Sequence, residues 1–156
     1  MARVTAGGTT GGPYLPGLLA LRMGPALAAV VQALPGRPDV LLVDATGRDH
    51  PRRAGLAVHL GAMLDLPTVG VTHRPLLAGG DEPGPRRGDA TPLRAAGETV
   101  GYWLRTRAGR RPVAVHAGWR TDPDTALELV RAVAGGHRTP APLREARRLA
   151  RRARAG

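Results

Sequence analysis

Residues 38–44, Pro-Asp-Val-Leu-Leu-Val-Asp, and residues 67–72, Pro-Thr-Val-Gly-Val-Thr, decide the fold. Each is a short apolar run that begins after or at a proline, which predicts buried strands over Asp39–Asp44 and Pro67–Thr72. Leucines spaced four apart between the two runs predict a helix over residues 52–64. Strand, helix and strand in this order form a βαβ unit, so we expect the two strands to be parallel.

The pattern continues on both sides of this unit. Apolar residues at spacings of three and four predict a helix over residues 17–34, and Pro25 inside it should cause a kink or a break. Residues 78–92 are rich in Gly, Pro and charge, which predicts a loop. Three further elements complete the chain: a strand over Thr99–Arg105, a strand over Pro112–His116, and a helix capped by Thr121 or Asp122 that ends at Gly135-Gly136. The order of elements indicates an α/β domain.

Composition limits the class of protein. The 156 residues fit one domain, and no apolar stretch is long enough for a spanning helix, so we expect no membrane partner. The absence of cysteine excludes disulfides, a thiol nucleophile and Cys-ligated metals. Twenty-three basic residues, all arginine, against 12 acidic residues give a net charge of +11. Such a surplus favours polyanionic partners, although a basic tail on an unrelated soluble protein would also produce it.

The two ends differ from the middle of the chain. Residues 1–12 are small and polar, which predicts a flexible segment, and they lack the apolar core of a signal peptide. With no cysteine and no export signal, the predicted compartment is the cytoplasm. Residues 137–156 form a basic tail whose thin apolar stripe indicates a marginal helix. The predicted domain therefore occupies residues 13–136.

Asp44 is the first candidate for chemistry. It ends the first predicted strand of the βαβ unit, and ligands of open α/β sheets bind beyond the carboxyl ends of strands. A carboxylate there could hold Mg²⁺ against a phosphate, or it could cap the following loop. His50-Pro51-Arg52-Arg53 begins the next predicted helix, where backbone amides and two arginines favour an anion. A polar helix start with solvated arginines is the alternative.

Pro13-Tyr14-Leu15-Pro16 is a stiff loop with one aromatic side chain. Two prolines fix the backbone around Tyr14, and such a shape is suited to pushing against a stack of bases. A tyrosine that only packs against its neighbours would have the same sequence.

Several segments resemble the endonuclease V family, in the same order along the chain. They are Pro13–Arg22, Asp39–Gly61 with its His-Pro-Arg-Arg, Leu64–Val71, Gly97–Thr106 and Thr125–Val130. The resemblance extends over most of residues 13–149. It implies a ribonuclease H-like α/β fold, with a mixed sheet flanked by helices. It also implies a Mg²⁺-dependent endonuclease that cleaves DNA, or in some members RNA, containing deaminated purine at the second phosphodiester 3′ of inosine.

The resemblance also implies roles for particular residues. Asp44 would be a metal ligand and catalytic residue, and His50 and His73 would lie at the catalytic centre. The expected substrate-binding residues comprise a wedge, a pocket for the flipped base and a position on the strand path: Tyr14 with Pro13 and Pro16, then Gly17 and Leu19, then Arg52.

Three departures from the family pattern concern the same centre. Met23 stands where the family has a metal-binding Glu, His73 where it has a Lys, and Trp119 where it has a His. A thioether does not bind Mg²⁺, which usually needs one or two carboxylates besides substrate phosphates. Asp49 lies at the far end of the loop after Asp44 and is not expected to replace the missing ligand. We therefore expect weak or lost Mg²⁺ binding and a very slow enzyme or none.

Only twelve residues precede Pro13, where the family has three strands, one of which carries a further metal-binding Asp. Without those strands, the apolar faces of the first helix and first strand would lack cover. We therefore expect one of three situations. The true start of the protein lies further upstream, the chain associates with a second copy or a partner, or the fold is only partly stable. Two alternatives to a nuclease remain open: a non-catalytic nucleic-acid-binding relative, and a degraded gene product or partner-binding domain without a nucleic-acid role.

Overall fold

The structure is a computed structural model that describes residues 2–8, 13 and 18–155. These residues form four helices and five strands. In chain order they are α1 Leu19–Gln32, β1 Leu41–Val43, α2 Leu56–Leu64, β2 Thr68–Thr72, β3 Ala90–Ala95, β4 Glu98–Leu104, β5 Val113–Ala117, α3 Pro123–Val133 and α4 Ala141–Ala155.

The five strands form one mixed sheet in the order β1-β2-β5-β4-β3. β1 pairs with β2 in parallel, with Leu42 opposite Val69, so the predicted βαβ unit is confirmed. The other three pairs are antiparallel. Within the described residues β1 has β2 as its single neighbour, which leaves its outer edge open.

Helices cover both faces of the sheet. On one face, valines of β2 and β5 pack against α3 and against Leu143 of α4. On the other face, Val43 packs with α1 and α2, where Leu56 and Leu60 are buried. Gly70 on this second face is close-packed, because a Cβ there would meet Ala57 of α2. The sheet is thus the middle layer of three, and the carboxyl ends of β1 and β2 meet at one rim.

α1 continues through Pro25, so the predicted division into two pieces is wrong, and the kink stays a prediction. Pro25 is exposed, whereas the neighbouring Gly24 and Ala28 are buried. Gly24 lies directly against His59 and Met63 of α2, so close packing against α2 supports the helix next to the proline. Tertiary contact outweighs the local preference of proline here.

The predicted loop over residues 78–92 also needs correction. β3 over Ala90–Ala95 begins in the stretch predicted as loop. It contains Pro92, which is tolerated because β3 is an edge strand. Ala96 and Gly97 both have positive φ and join β3 to β4 by a two-residue turn, a geometry that matches the twist of a hairpin.

The basic tail, which the sequence predicts as a marginal helix, forms the 15-residue helix α4. It is joined to the rest of the chain by the buried Leu143 in the core cluster and by Arg147 beside the end of β1. Among the residues that the structure describes, no helix is long and apolar enough to cross a membrane.

Candidate functional site

Asp44 directly follows β1 at the carboxyl rim of the sheet, where the sequence predicted it. Its side chain is 43% exposed, and its Oδ2 accepts from Arg147 on α4, at 2.6 Å from Nη2 and 2.7 Å from Nε. Both contacts fall on one oxygen, so the second oxygen stays open. A carboxylate and a guanidinium therefore stand together at this rim, contributed by the first strand and the last helix.

His73 follows β2 at the same rim. Its Nε2 lies 3.0 Å from Thr139 Oγ1. Burial lowers the pKa of His73, nearby Arg138 and Arg147 lower it further, and Asp44 opposes them. The ring is mainly neutral at pH 7, so His73 does not supply the fixed positive charge of a lysine. The parallel pairing of β1 with β2 brings Asp44 and His73 close enough to interact electrostatically.

His50 and Arg52 lie on the loop between β1 and α2. The prediction that the helix begins at Arg52 is wrong, because α2 begins at Leu56 after Gly55. Arg53 has a φ of 54° and its N–H bonds to the carbonyl of His50, which makes a turn instead of a first helical turn. The helix amides are therefore not beside His50, whose Nδ1 accepts from the Arg52 N–H at 3.2 Å.

Asp49 has a different environment from Asp44, although only four residues separate them. Its carboxylate is fully buried and accepts three backbone N–H groups from the loop after β2. Oδ2 accepts from Leu76 at 2.5 Å, and Oδ1 accepts from Leu77 and Ala78 at 2.7 Å each. Asp49 thus fixes a loop, and both of its carboxylate oxygens are used in doing so.

His116 on β5 lies beneath the same loop. Thr72 Oγ1 donates to the carbonyl of Arg74, so it accepts from His116 Nε2–H, with 2.7 Å between the two atoms. His116 Nδ1 is 3.9 Å from Asp49 Oδ2 and has no hydrogen-bond partner among the described residues. Burial lowers the pKa of His116 to about 4, against the opposing charge of Asp49. The ring is neutral at pH 7 and belongs to the packing of the loop.

Part of the predicted substrate-binding set lies outside the described residues, namely Tyr14, Pro16 and Gly17. Pro13 is exposed, and Leu19 is the exposed first residue of α1. The wedge and base pocket therefore stay predictions.

The departures from the family pattern have clear structural positions. Met23 is half-buried and packs into the apolar cluster between α1, α2 and β1. Trp119 is also half-buried, and its backbone N–H donates to Thr68 Oγ1 at 2.8 Å. Neither side chain brings an oxygen or imidazole ligand to Asp44.

The described residues do not form a Mg²⁺ site. Within them there is no group of three or more His, Asp or Glu side chains placed to hold a metal ion. Asp44 offers one carboxylate, and Arg147 already occupies one of its oxygens. Asp44 could thus supply at most one ligand of a Mg²⁺ ion, which usually takes one or two carboxylates together with substrate phosphates.

A mixed five-stranded sheet between two helical layers, with an aspartate beyond the carboxyl end of its edge strand, defines the ribonuclease H-like class of α/β folds. A model of the endonuclease V family matches residues 1–148 of the chain. The chain belongs to the endonuclease V family.

Individual relatives agree with this assignment. An endonuclease V from Streptomyces avermitilis is 44% identical over 153 residues, which cover 98% of this chain and 67% of that protein. A crystal structure of endonuclease V from the same species matches with a TM-score of 0.85 at 45% identity, covering 90% of this chain and 62% of the other. The human enzyme matches with a TM-score of 0.81 at 34% identity, covering 94% and 70%.

The chain spans about two thirds of the length of the curated relatives it matches. The predicted fold class is therefore confirmed, since the neighbours share it over most of the chain. Sequence reasoning missed Arg147 and Thr139, the partners of Asp44 and His73. The sequence signal for Arg147 was the arginine-rich tail. It indicated a positive charge but did not show that one arginine would lie beside Asp44.

Proposed function

We propose that this chain acts on inosine-containing nucleic acid, as a member of a family of DNA repair nucleases, and that its own phosphodiester cleavage is impaired. The observation that supports nucleic-acid binding is the basic rim around Asp44, where Arg147 and Arg138 both lie near His73 and would offer positive charge to a phosphate backbone. In this proposal, Tyr14 with Pro13 and Pro16 opens the strand. Gly17 and Leu19 receive the flipped base, and Arg52 contacts the strand.

The proposed impairment has a physical basis in the same rim. Hydrolysis of a phosphodiester needs a positioned water and stabilisation of the charge that develops on the leaving oxygen. Asp44 can orient a water only where Arg147 leaves it open, and His73 is a neutral group that can pass on a proton but adds no fixed charge. His50 lies on the adjoining loop and is the second proton-transfer candidate. We assign no step to Mg²⁺.

Cleavage of an inosine-containing oligonucleotide under single-turnover conditions tests the activity. We expect a rate on the order of 10³-fold below that of the Streptomyces avermitilis relative, because several charge-stabilising groups are absent. Parallel reactions in Mg²⁺, Mn²⁺ and chelator measure the dependence on metal. Asp44→Asn is the matched control, because it keeps the shape of the side chain and removes the charge. A rate equal to that of the relative would contradict the proposed impairment.

Binding to paired duplexes with and without one inosine tests recognition separately. An endonuclease V from Ciona intestinalis, 22% identical and with a TM-score of 0.76, has been crystallised with DNA that contains inosine followed by ribo-adenosine. We use this substrate chemistry as the probe, in DNA and RNA versions. Tyr14→Ala should reduce the preference for inosine more than the overall affinity. Equal affinity for both duplexes in the unaltered chain would refute the proposed recognition.

We also propose that the open edge of β1 is covered in the functional protein by another strand. One side of β1 is paired with β2, and the Leu41 N–H donates to the carbonyl of Pro67, so the backbone groups that point away from β2 are the template for pairing. A second copy of the chain is one source of such a strand, and sedimentation at increasing concentration would detect it. A monomer with fast amide exchange throughout β1 would show that no second copy covers it.

A further inference from the structure

A cleft of about 600 Å³ opens beside His73 at the carboxyl rim, next to the candidate site and separate from Asp44 itself. Its lining combines three arginines, a histidine, a tryptophan and a glutamate: Arg74, Arg111, Arg138, His73, Trp103 and Glu82. The volume is within the range of small-molecule sites. Of the predicted substrate-binding residues that the structure describes, Pro13, Leu19 and Arg52 do not line it.

The positive charges of this cleft are not compensated by carboxylates. Within residues 2–8, 13 and 18–155, Arg74, Arg111 and Arg138 form no ion pair, although eight arginine–carboxylate pairs are present elsewhere in that part of the chain. Glu82 at the border is held by Arg105, with 2.9 Å between the charged atoms. Three guanidinium groups thus line this concave surface, and Glu82, the carboxylate among its described lining residues, is already paired with Arg105.

Arg138 is fixed in place by the backbone. Its Nε donates to the carbonyl of Arg111 at 2.9 Å, and its Nη2 donates to that of Pro112 at 3.2 Å. Burial lowers the pKa of Arg138, and the charge of Arg111 lowers it further. The guanidinium is therefore oriented by neutral groups while it is repelled by its neighbour. A bound anion would relieve this repulsion, and the planar fork of arginine suits a phosphate.

Trp103 makes the ligand more specific than an inorganic anion. It lies on β4 opposite Ala114 and is half-buried, so one part of the indole packs on the sheet and another part lines the cleft. Aromatic faces bind nucleobases by stacking, with little preference among bases. A cationic wall and an indole face in a cleft of this size match one phosphate with its attached nucleoside.

We propose that this cleft binds one unpaired nucleotide of the substrate strand, with its phosphate on Arg111 and Arg138 and its base against Trp103. The role as part of a substrate path rests on the proposed function, whereas nucleotide binding by the cleft does not. His73 connects the cleft to Asp44, so the nucleotide would flank the strand segment at the candidate site. The chain would then favour substrates with a single-stranded flank.

The competing explanation is that the three arginines are only solvated surface charges. Two of them, Arg74 and Arg111, are exposed and would be hydrated in any case. Arg138 argues against this explanation, because a partly buried guanidinium held by two carbonyls cannot turn out into solvent. The carbonyl of Arg74 is also fixed, by the hydroxyl of Thr72 at 2.6 Å. The guanidinium of Arg138 and the backbone of Arg74 are thus held in place at the cleft.

The test measures binding of short oligothymidylates that contain no inosine, and of abasic phosphodiester oligomers of equal length. Trp119→Phe leaves Trp103 as the single tryptophan, so that its fluorescence reports on the cleft. We expect oligothymidylate to quench this emission and to bind about 10-fold more tightly than the abasic oligomer. Arg111→Gln should weaken binding by about 10-fold and reduce the salt slope by about 0.7.

Arg37→Gln is the matched control, because Arg37 lies at the opposite rim and donates to the carbonyl of Asp65. It removes the same charge and should leave the affinity almost unchanged. Equal loss in the two variants, or equal quenching by both oligomers, would overturn the proposal. If Trp119→Phe does not fold, loss of quenching in Trp103→Leu gives the same information. Inosine is absent from every probe, so a failure of the proposed function leaves these results unaffected.

Discussion

The two ends of the loop after β1 carry the same side chain in opposite environments. Asp44 at the first end is exposed and meets one arginine from α4. Asp49 at the second end is fully buried and is saturated by three backbone N–H groups. A carboxylate that accepts three amides stabilises a loop and has no capacity for chemistry. A carboxylate with one open oxygen has little effect on stability and remains available to a ligand.

The largest expected effect is on stability at Asp49. Asp49→Ala should destabilise the fold by about 4 kcal/mol, because hydrogen bonds to a charged group are strong and the three amides become unsatisfied. Urea denaturation would measure the loss. Asp44→Ala is the control, and we expect less than about 1 kcal/mol from it, since its ion pair is largely solvent-screened. Similar losses of unfolding free energy in the two variants would show that Asp49 and Asp44 do not differ in their effect on stability.

The second effect is on the pH dependence of stability through His116, next to Asp49. Its pKa is about 4 in the folded state and about 6.5 when unfolded, so the unfolded chain binds more protons between these values. The stabilising contribution is present above pH 6.5 and declines as the pH falls towards 4. We expect a loss on the order of 3 kcal/mol over that window.

Unfolding at a series of pH values checks this expectation. His116→Gln keeps a donor for Thr72 without an imidazole, and it should flatten the profile in that window. An unchanged profile in this variant would mean that another group titrates there.

The smallest effect is electrostatic and occurs at Asp44. Arg147 lowers the pKa of His73 and Asp44 raises it. Arg147→Gln should therefore raise that pKa, and Asp44→Asn should lower it further. Proton titration of the His73 ring by NMR would show shifts of opposite sign. Shifts of the same sign would show that α4 does not hold Arg147 over the rim.

Periodicity predicted the βαβ unit, because its strands and its buried helix depend on local apolar patterns. It failed where distant packing or single backbone angles decide the structure. α1 is continuous because Gly24 lies against α2, and α2 starts late because Arg53 adopts a positive φ. The local sequence pattern predicts neither the continuity of α1 nor the start of α2 at Leu56.

The candidate site was predictable only in part for the same reason. The position of Asp44 followed from where its strand ends. Its partner Arg147 is 103 residues away, so no local signal connects the two. The neutral state of His73 likewise depends on Arg138 and on burial, both of which require the assembled fold.

The three hydrogen bonds from the backbone of residues 76–78 to Asp49 have a consequence for any molecule that binds at this loop. Leu76 and Leu77 are 53% and 58% exposed, yet their amides are fixed by Asp49. Holding a residue in one backbone conformation costs about 1–2 kcal/mol, and here that entropy is lost during folding. A molecule that binds here therefore contacts two leucines whose backbone is already fixed. Its association rate should show no delay from rearrangement of this loop.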